Sequence, residues 1–240
     1  MAHKLLGTAL PVAMVALFAA SNAFALPTLR LTEGGLDGIL DTADDNVLVF
    51  EDNAPVGLLF DRDSRLGVID INTNIGVFDI NFDIAITKPQ QGSASDPQME
   101  VTYRHGSTGP GQLRVEFSET DFDAGAMGPM RFLSSNSGET DLGSVQFQVF
   151  VDDSNVLFGQ GANVGDTGEI TAPSGFTQSV DGVASLTDSY SLTQVLTFRN
   201  FGPGAASGDT ETEIPVPGTL GLLGAGLMAM GLLARRRKTA

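Results

Sequence analysis

Hydrophobic and polar residues alternate with a period of two along several stretches of this chain, the pattern of strands with one buried and one wet face. The clearest stretch is Phe78–Ile86, where Phe78, Ile80, Phe82, Ile84 and Ile86 are interleaved with Asp79, Asn81, Asp83 and Ala85. Met99-Val101-Tyr103, Leu113-Val115-Phe117 and Val145-Phe147-Val149-Val151 repeat the pattern with largely polar residues between. A last strand is predicted over 189–199, with Tyr190, Leu192, Leu196 and Phe198 on one face and Thr193 and Thr197 on the other. Segments 28–31, 47–50, 56–60 and 67–71 predict shorter, less regular strands. Nothing between the two ends carries the 3.6-residue stripe of an amphipathic helix.

Gly, Ser, Pro and Asn cluster at 91–97, 106–111, 134–138 and 159–168, which predicts turns between the strands. Short strands separated by such turns predict an all-β antiparallel sandwich of Ig-like or jelly-roll type. Residues 202–214, opening Gly-Pro-Gly-Ala-Ala-Ser-Gly-Asp, read as a flexible acidic linker.

The two ends differ from this body. An apolar run over 5–20 is followed by Ser21-Asn22-Ala23-Phe24-Ala25, whose Ala23 and Ala25 form an Ala-x-Ala signal-peptidase site with cleavage after Ala25. At the other end come Pro215, Val216 and Pro217, seventeen uncharged residues over 218–234, then Arg235, Arg236, Arg237 and Lys238. As a helix that stretch extends roughly 26 Å, near the short limit for a hydrocarbon core of about 30 Å. The basic residues after it belong on the cytoplasmic side, leaving the body outside the inner membrane. The chain therefore divides into a signal peptide (1–25), a sandwich domain (26–201), the linker (202–214) and a C-terminal sorting signal (215–240).

A Pro-x-Pro triplet, a Gly-rich apolar helix and an Arg-rich terminus behind a secretory signal resemble the PEP-CTERM proteins of Gram-negative bacteria. The residues carrying the resemblance are Pro215-Val-Pro-Gly-Thr-Leu-Gly-Leu-Leu-Gly-Ala-Gly-Leu and Arg235-Arg-Arg-Lys238, about a tenth of the chain. The Glu that gives the family its name is Val216 here, with Glu213 three positions upstream. The resemblance implies an exosortase-type processing enzyme as partner and a transient hold in the inner membrane through the C-terminal helix. It also implies a cell-surface or extracellular destination associated with exopolysaccharide.

Removing the ends sharpens the charge. Residues 26–214 contain all 29 acidic residues but only eight of the 13 basic ones, a net charge of −21 against −16 for the whole chain. Such a surface repels nucleic acid, so no nucleic-acid partner is expected. The absence of cysteine leaves the body without disulfides, to be held by its core alone.

Candidate chemistry is sparse. His105 is the one histidine of the body and reads as a lone surface residue, too few for a histidine zinc site or a Ser-His-Asp arrangement without a Gly-x-Ser-x-Gly elbow. Carboxylate pairs occur at Glu119 with Asp121 and Asp123, at Asp61 with Asp63 and at Asp152 with Asp153, numbers that chance supplies among 29 acids. No catalytic residue, no cofactor and no enzymatic activity are expected. For calcium, which takes several loop oxygens, the densest candidate is Asp37, Asp41, Asp44 and Asp45, with the stretch 70–74 next; a solvated acidic loop is the competing reading. The expected role is structural or adhesive in an exopolysaccharide or biofilm setting, the alternative being a secreted carbohydrate- or calcium-binding module.

Overall fold

The computed structural model of the chain describes residues 26–54, 60–125, 129–141, 143–171 and 175–215, apart from the side chains at 82 and 83. These residues form fourteen strands and no helix, arranged as two antiparallel sheets packed face to face. The first sheet runs in the order β10 (Ala162–Asp166), β9 (Gly143–Asp152), β13 (Ser189–Asn200), β7 (Gly111–Asp123), β1 (Thr28–Glu33) and β2 (Asn46–Glu51), with the short β11 (Ile170–Thr171) also on β9. The second runs β12 (Phe176–Ala184), β8 (Met130–Thr140), β14 (Gly204–Glu213), β6 (Asp96–Ser107), β4 (Phe78–Ile86) and β3 (Val68–Ile75), with β5 (Gly92–Ser93) beside β6. After β6 the chain changes sheet at β7, β8, β9, β12, β13 and β14 in turn, so strands far apart in sequence become neighbours.

The inward residues of the alternating strands meet in one core. Leu29, Leu31, Leu113, Val115, Phe117, Val145, Phe147, Val149, Leu192, Leu196 and Phe198 come from the first sheet, and Ile69, Ile71, Phe78, Ile80, Met99, Val101, Tyr103 and Phe132 from the second. Each fully buried Val, Leu, Ile or Phe contributes roughly 1.5–3 kcal/mol relative to exposure.

Several segments depart from the pattern read in sequence. In β4 the pairing slips between Asn81 and Ile84 against β6, and between Ile69 and Ile71 of β3. This bulge reverses the faces beyond it, so Ala85 is buried while Ile84 and Ile86 are half-buried, opposite to the strict alternation. Residues 134–138, expected as a turn, lie inside β8, hydrogen-bonded to β12 on one side and β14 on the other. Ala162–Asp166, inside the expected loop 159–168, forms β10.

The largest correction concerns the expected linker. Ten residues of it form β14, an inner strand of the second sheet paired with both β6 and β8. Ile214, just beyond, packs against the core. Ladder hydrogen bonds on both edges, and the inward Ala206, Thr210 and Thr212, hold in place a sequence whose composition alone reads as flexible.

Candidate functional site

The outer face of the second sheet carries two adjoining depressions with volumes of about 660 and 480 Å³. They share Arg104 and Ala205 in their linings. Strand register explains the surface. Asn72 faces Asn81, Asn81 faces Arg104, Arg104 faces Ser207 and Ser207 faces Glu139, a row of five polar residues across β3, β4, β6, β14 and β8. Four strand spacings of about 4.8 Å make the row roughly 19 Å long. Thr102 and Asp209 flank it on one side, with the Thr102 hydroxyl donating to Asp209 at 2.7 Å, and Asp79 and Asp141 flank it on the other. Gly106 and Ala205 carry little or no side chain on this face, which keeps the floor low, and Gly138 and Gly208 add bare backbone to it.

Close approach of the strands also requires two of these glycines. A Cβ on Gly138 or Gly208 would come within 2.8 or 2.5 Å of the Tyr103 hydroxyl, which is buried under them. That hydroxyl donates to Asn136 Oδ1 at 3.3 Å, and burial pushes the phenol up from its ordinary pKa.

Arg104 stands out by its lack of a partner. Arg30, Arg62, Arg65, Lys88, Arg114, Arg131 and Arg199 each form an ion pair. Among the described residues Arg104 is the one Lys or Arg without a pair, although it sits exposed between Asp79 and Asp209.

A second charged group lies between the sheets. Lys88, just after β4, places Nζ 2.8 Å from Oε1 of Glu119 on β7, with the side chains 5% and 0% exposed. Thr87 donates to Glu119 Oε2 at 2.5 Å, and Lys88 Nζ to the Thr120 carbonyl at 2.6 Å. Lys88 Nζ also lies 4.0 Å from the centre of the Phe122 ring. Burial pushes Glu119 up to about 7, against the pull of Lys88, and pushes Lys88 down. Asp52, also buried, accepts from the Gly67 N–H at 2.7 Å and is likewise pushed up by burial.

The residues singled out in sequence fare differently. The four calcium candidates are not gathered around one point. Asp41 is paired with Arg114 at 2.8 Å, which holds its carboxyl below the usual range. Asp44 accepts from the Thr42 hydroxyl and the Leu36 N–H, Asp45 from the Asp41 N–H, and Asp37 from the Ile39 N–H, so the carboxylates cap their own loop. Among the described residues no group of three or more His, Asp or Glu is placed to hold a metal ion.

Glu119, Asp121 and Asp123 lie within β7, which runs on past the alternation read over 113–117, and Glu119 points inward while Asp121 and Asp123 are exposed. His105 is not a surface residue. It lies inside β6, 1% exposed, with its ring 4.4 Å from that of Phe198 and 5.6 Å from that of Phe78. Burial pushes it down to about 4, and neither ring nitrogen has an aligned hydrogen-bond partner.

Of the sorting residues, Pro215 is described, following Ile214 directly. Val216, Pro217, Arg235, Arg236, Arg237 and Lys238 lie outside the described residues, as do Ala23 and Ala25, the apolar run 5–20 and the expected C-terminal helix. Among the described residues no helix is long and apolar enough to cross a membrane.

Arg104 and Lys88 were both missed in sequence. Lys88 had a signal, being the one lysine between 26 and 214. Arg104 had none, because its surroundings come from five separate strands.

Comparison with solved structures returns distant likenesses. The enzymatically active domain of bacteriophage CBA120 tailspike protein 4 is 10% identical with a TM-score of 0.32, covering 59% of this chain and 20% of that one. The C-terminal CBM6 of LamC from Zobellia galactanivorans is 10% identical with a TM-score of 0.24, covering 54% and 87%. The structure of infectious bursal disease virus Gx strain is 11% identical with a TM-score of 0.29, covering 80% and 58%. This chain thus spans one fifth of the tailspike chain, and at such TM-scores no function follows from any of the three. A search of the curated proteins gives no match. Residues 213–238, however, match the PEP-CTERM protein-sorting motif, so the chain carries at its C-terminus the sorting signal that its Pro-x-Pro, apolar and basic segments resembled.

Proposed function

We propose that the protein is exported, tethered in the inner membrane while an exosortase-type enzyme acts on its sorting motif, and then serves as a non-enzymatic surface or matrix component that holds a neutral polysaccharide. The sorting motif at 213–238 supports the route. The observation that carries the role is the polar row on the outer face of the second sheet, with Arg104 unpaired at its centre.

Asn, Ser, Thr, Asp and Arg side chains there offer both donors and acceptors, the complement of a hydroxyl-rich chain. The single Arg is outnumbered by Asp79, Glu139, Asp141 and Asp209, and residues 26–214 carry a net charge of −21, so a polyanion is repelled. Of the carboxylate pairs, Asp61 accepts from the Asp63 and Asp70 N–H groups, Asp63 binds Arg65, and Asp152 accepts from the Ser154 N–H, contacts that support a part for them in holding local structure.

The test is retention of the exported protein on immobilised neutral glucan beside a polyuronate. Retention on the neutral polymer, weakened about tenfold by Arg104→Ala, is the expected result, since a hydrogen bond from a charged group is worth about 1.5–3 kcal/mol. No retention on neutral polymers, or full retention of the Arg104→Ala protein, defeats the proposal.

A further inference from the structure

The Lys88–Glu119 contact has the geometry of two reacting groups as much as of an ion pair. Nζ is 2.8 Å from Oε1, yet Oε1 has no aligned hydrogen-bond donor, so the nitrogen lies off the direction a salt-bridge hydrogen bond would take. Nζ is oriented instead by the Thr120 carbonyl at 2.6 Å. The other carboxyl oxygen, Oε2, is gripped by the Thr87 hydroxyl at 2.5 Å. The Phe122 ring covers the amine, and both side chains are sealed from solvent.

We propose that Lys88 and Glu119 condense into an intramolecular amide that joins the two sheets covalently. The Nζ lone pair attacks Cδ of the protonated Glu119 carboxyl, and the charge that develops on Oε2 is met by the Thr87 hydroxyl already hydrogen-bonded to it. Two protons, one from the amine and one from the carboxyl, leave with Oε1. One C–N bond forms, one C–O bond breaks, and one water departs, with no oxidant, reductant or activating group required. The product keeps the existing hydrogen bonds, with the amide N–H on the Thr120 carbonyl and the amide oxygen on Thr87.

The surroundings favour this direction. Sealing an ammonium and a carboxylate away from water is costly even when they are paired, and a neutral amide removes both charges. Burial moves the two groups toward their neutral forms, the amine and the acid that condensation consumes. Asp52, buried nearby, adds to this by raising Glu119 further. A covalent strut would also supply what a cysteine-free exported domain lacks. The inference does not depend on the polysaccharide reading.

Intact mass spectrometry of the full chain beside its Lys88→Arg variant is the test, because any processing of the ends is common to both. The wild-type protein is expected to be lighter than its sequence requires by about 18 Da, one water, while the variant has its full mass. Trypsin should release residues 66–104 and 115–131 as one covalently joined species, since these peptides contain Lys88 and Glu119. A wild-type chain of full mass with the two peptides separate would show an ordinary buried ion pair and overturn the proposal. The wild-type mass decides the matter even if the variant folds poorly.

Discussion

The two sheets face one another but handle polarity in opposite ways. On its outer face the first sheet neutralises itself: Arg30 grips Glu116 through two hydrogen bonds of 2.6 and 2.7 Å and lies 4.0 Å from the centre of the Phe158 ring, and Arg114 reaches both Glu116 and Asp41. The loop carrying Phe158 donates its N–H to Ser118, so parts of that face are buried, including Ser118 and Thr193. The outer face of the second sheet is left open, with Arg104 unpaired. Glu211 there is pushed up by burial and by Glu213 and Glu100 beside it.

Inward, the contrast reverses. At its middle the inward face of β13 is apolar save for Gln194, between Leu192 and Leu196, and β7 adds Glu119 nearer one end, whereas β8 and β14 of the second sheet contribute Ser134, Asn136, Thr210 and Thr212. Gln194 donates to the Met99 carbonyl and the Thr212 hydroxyl, and Thr212 reaches Ser134, a network with its needs met inside the core. A strand with polar residues on both faces is stable when one side is satisfied internally and the other left to solvent or ligand.

The largest expected effect tests the inward face of the second sheet. His105 falls from an ordinary 6.5 to about 4 in the folded protein, so the unfolded chain binds the extra proton as pH drops between these values. Stability is then lost on acidification, by about 3 kcal/mol across that window. Urea unfolding at stepped pH should show this decline in the wild-type protein and its removal in His105→Leu; an unchanged slope would remove His105 as the cause. An uncondensed Glu119 would contribute the opposite sign, its share being full at low pH and lost as pH rises from 4.5 through about 7.

Next in size is the outer face of the first sheet. Glu116→Ala leaves Arg30 without its partner and Arg114 with Asp41 alone, at a cost of about 2 kcal/mol given that Arg30 is partly exposed. The smallest effect belongs to the second sheet, where Arg104→Ala should change unfolding free energy by no more than about 0.5 kcal/mol. Equal losses in these two variants would erase the distinction between a self-paired face and an open one.

The same contrast decides what was legible in the sequence. β4 is bounded by Phe78 and Ile86 as its alternation predicts, and the inward residues of β7, β9 and β13 were read correctly, because those strands bury an apolar face. Residues 134–138, β12 and β14 were not, since Ser, Thr, Gly and Asp in a strand have the composition of a turn. What makes them strands is pairing with partners far away in sequence, as Thr210 with Val101. The groove was hidden for the same reason: Asn72, Asn81, Arg104, Ser207 and Glu139 become neighbours through register, which composition does not encode.

Glu213 is at once the last residue of β14 and the first of the sorting motif. Because β14 lies between β6 and β8, the second sheet is two separate halves until this final segment is in place. Synthesis delivers the keystone last. A chain whose synthesis has not reached β14 therefore remains an unfinished sandwich, and the fold closes only when Gly204–Glu213 is available.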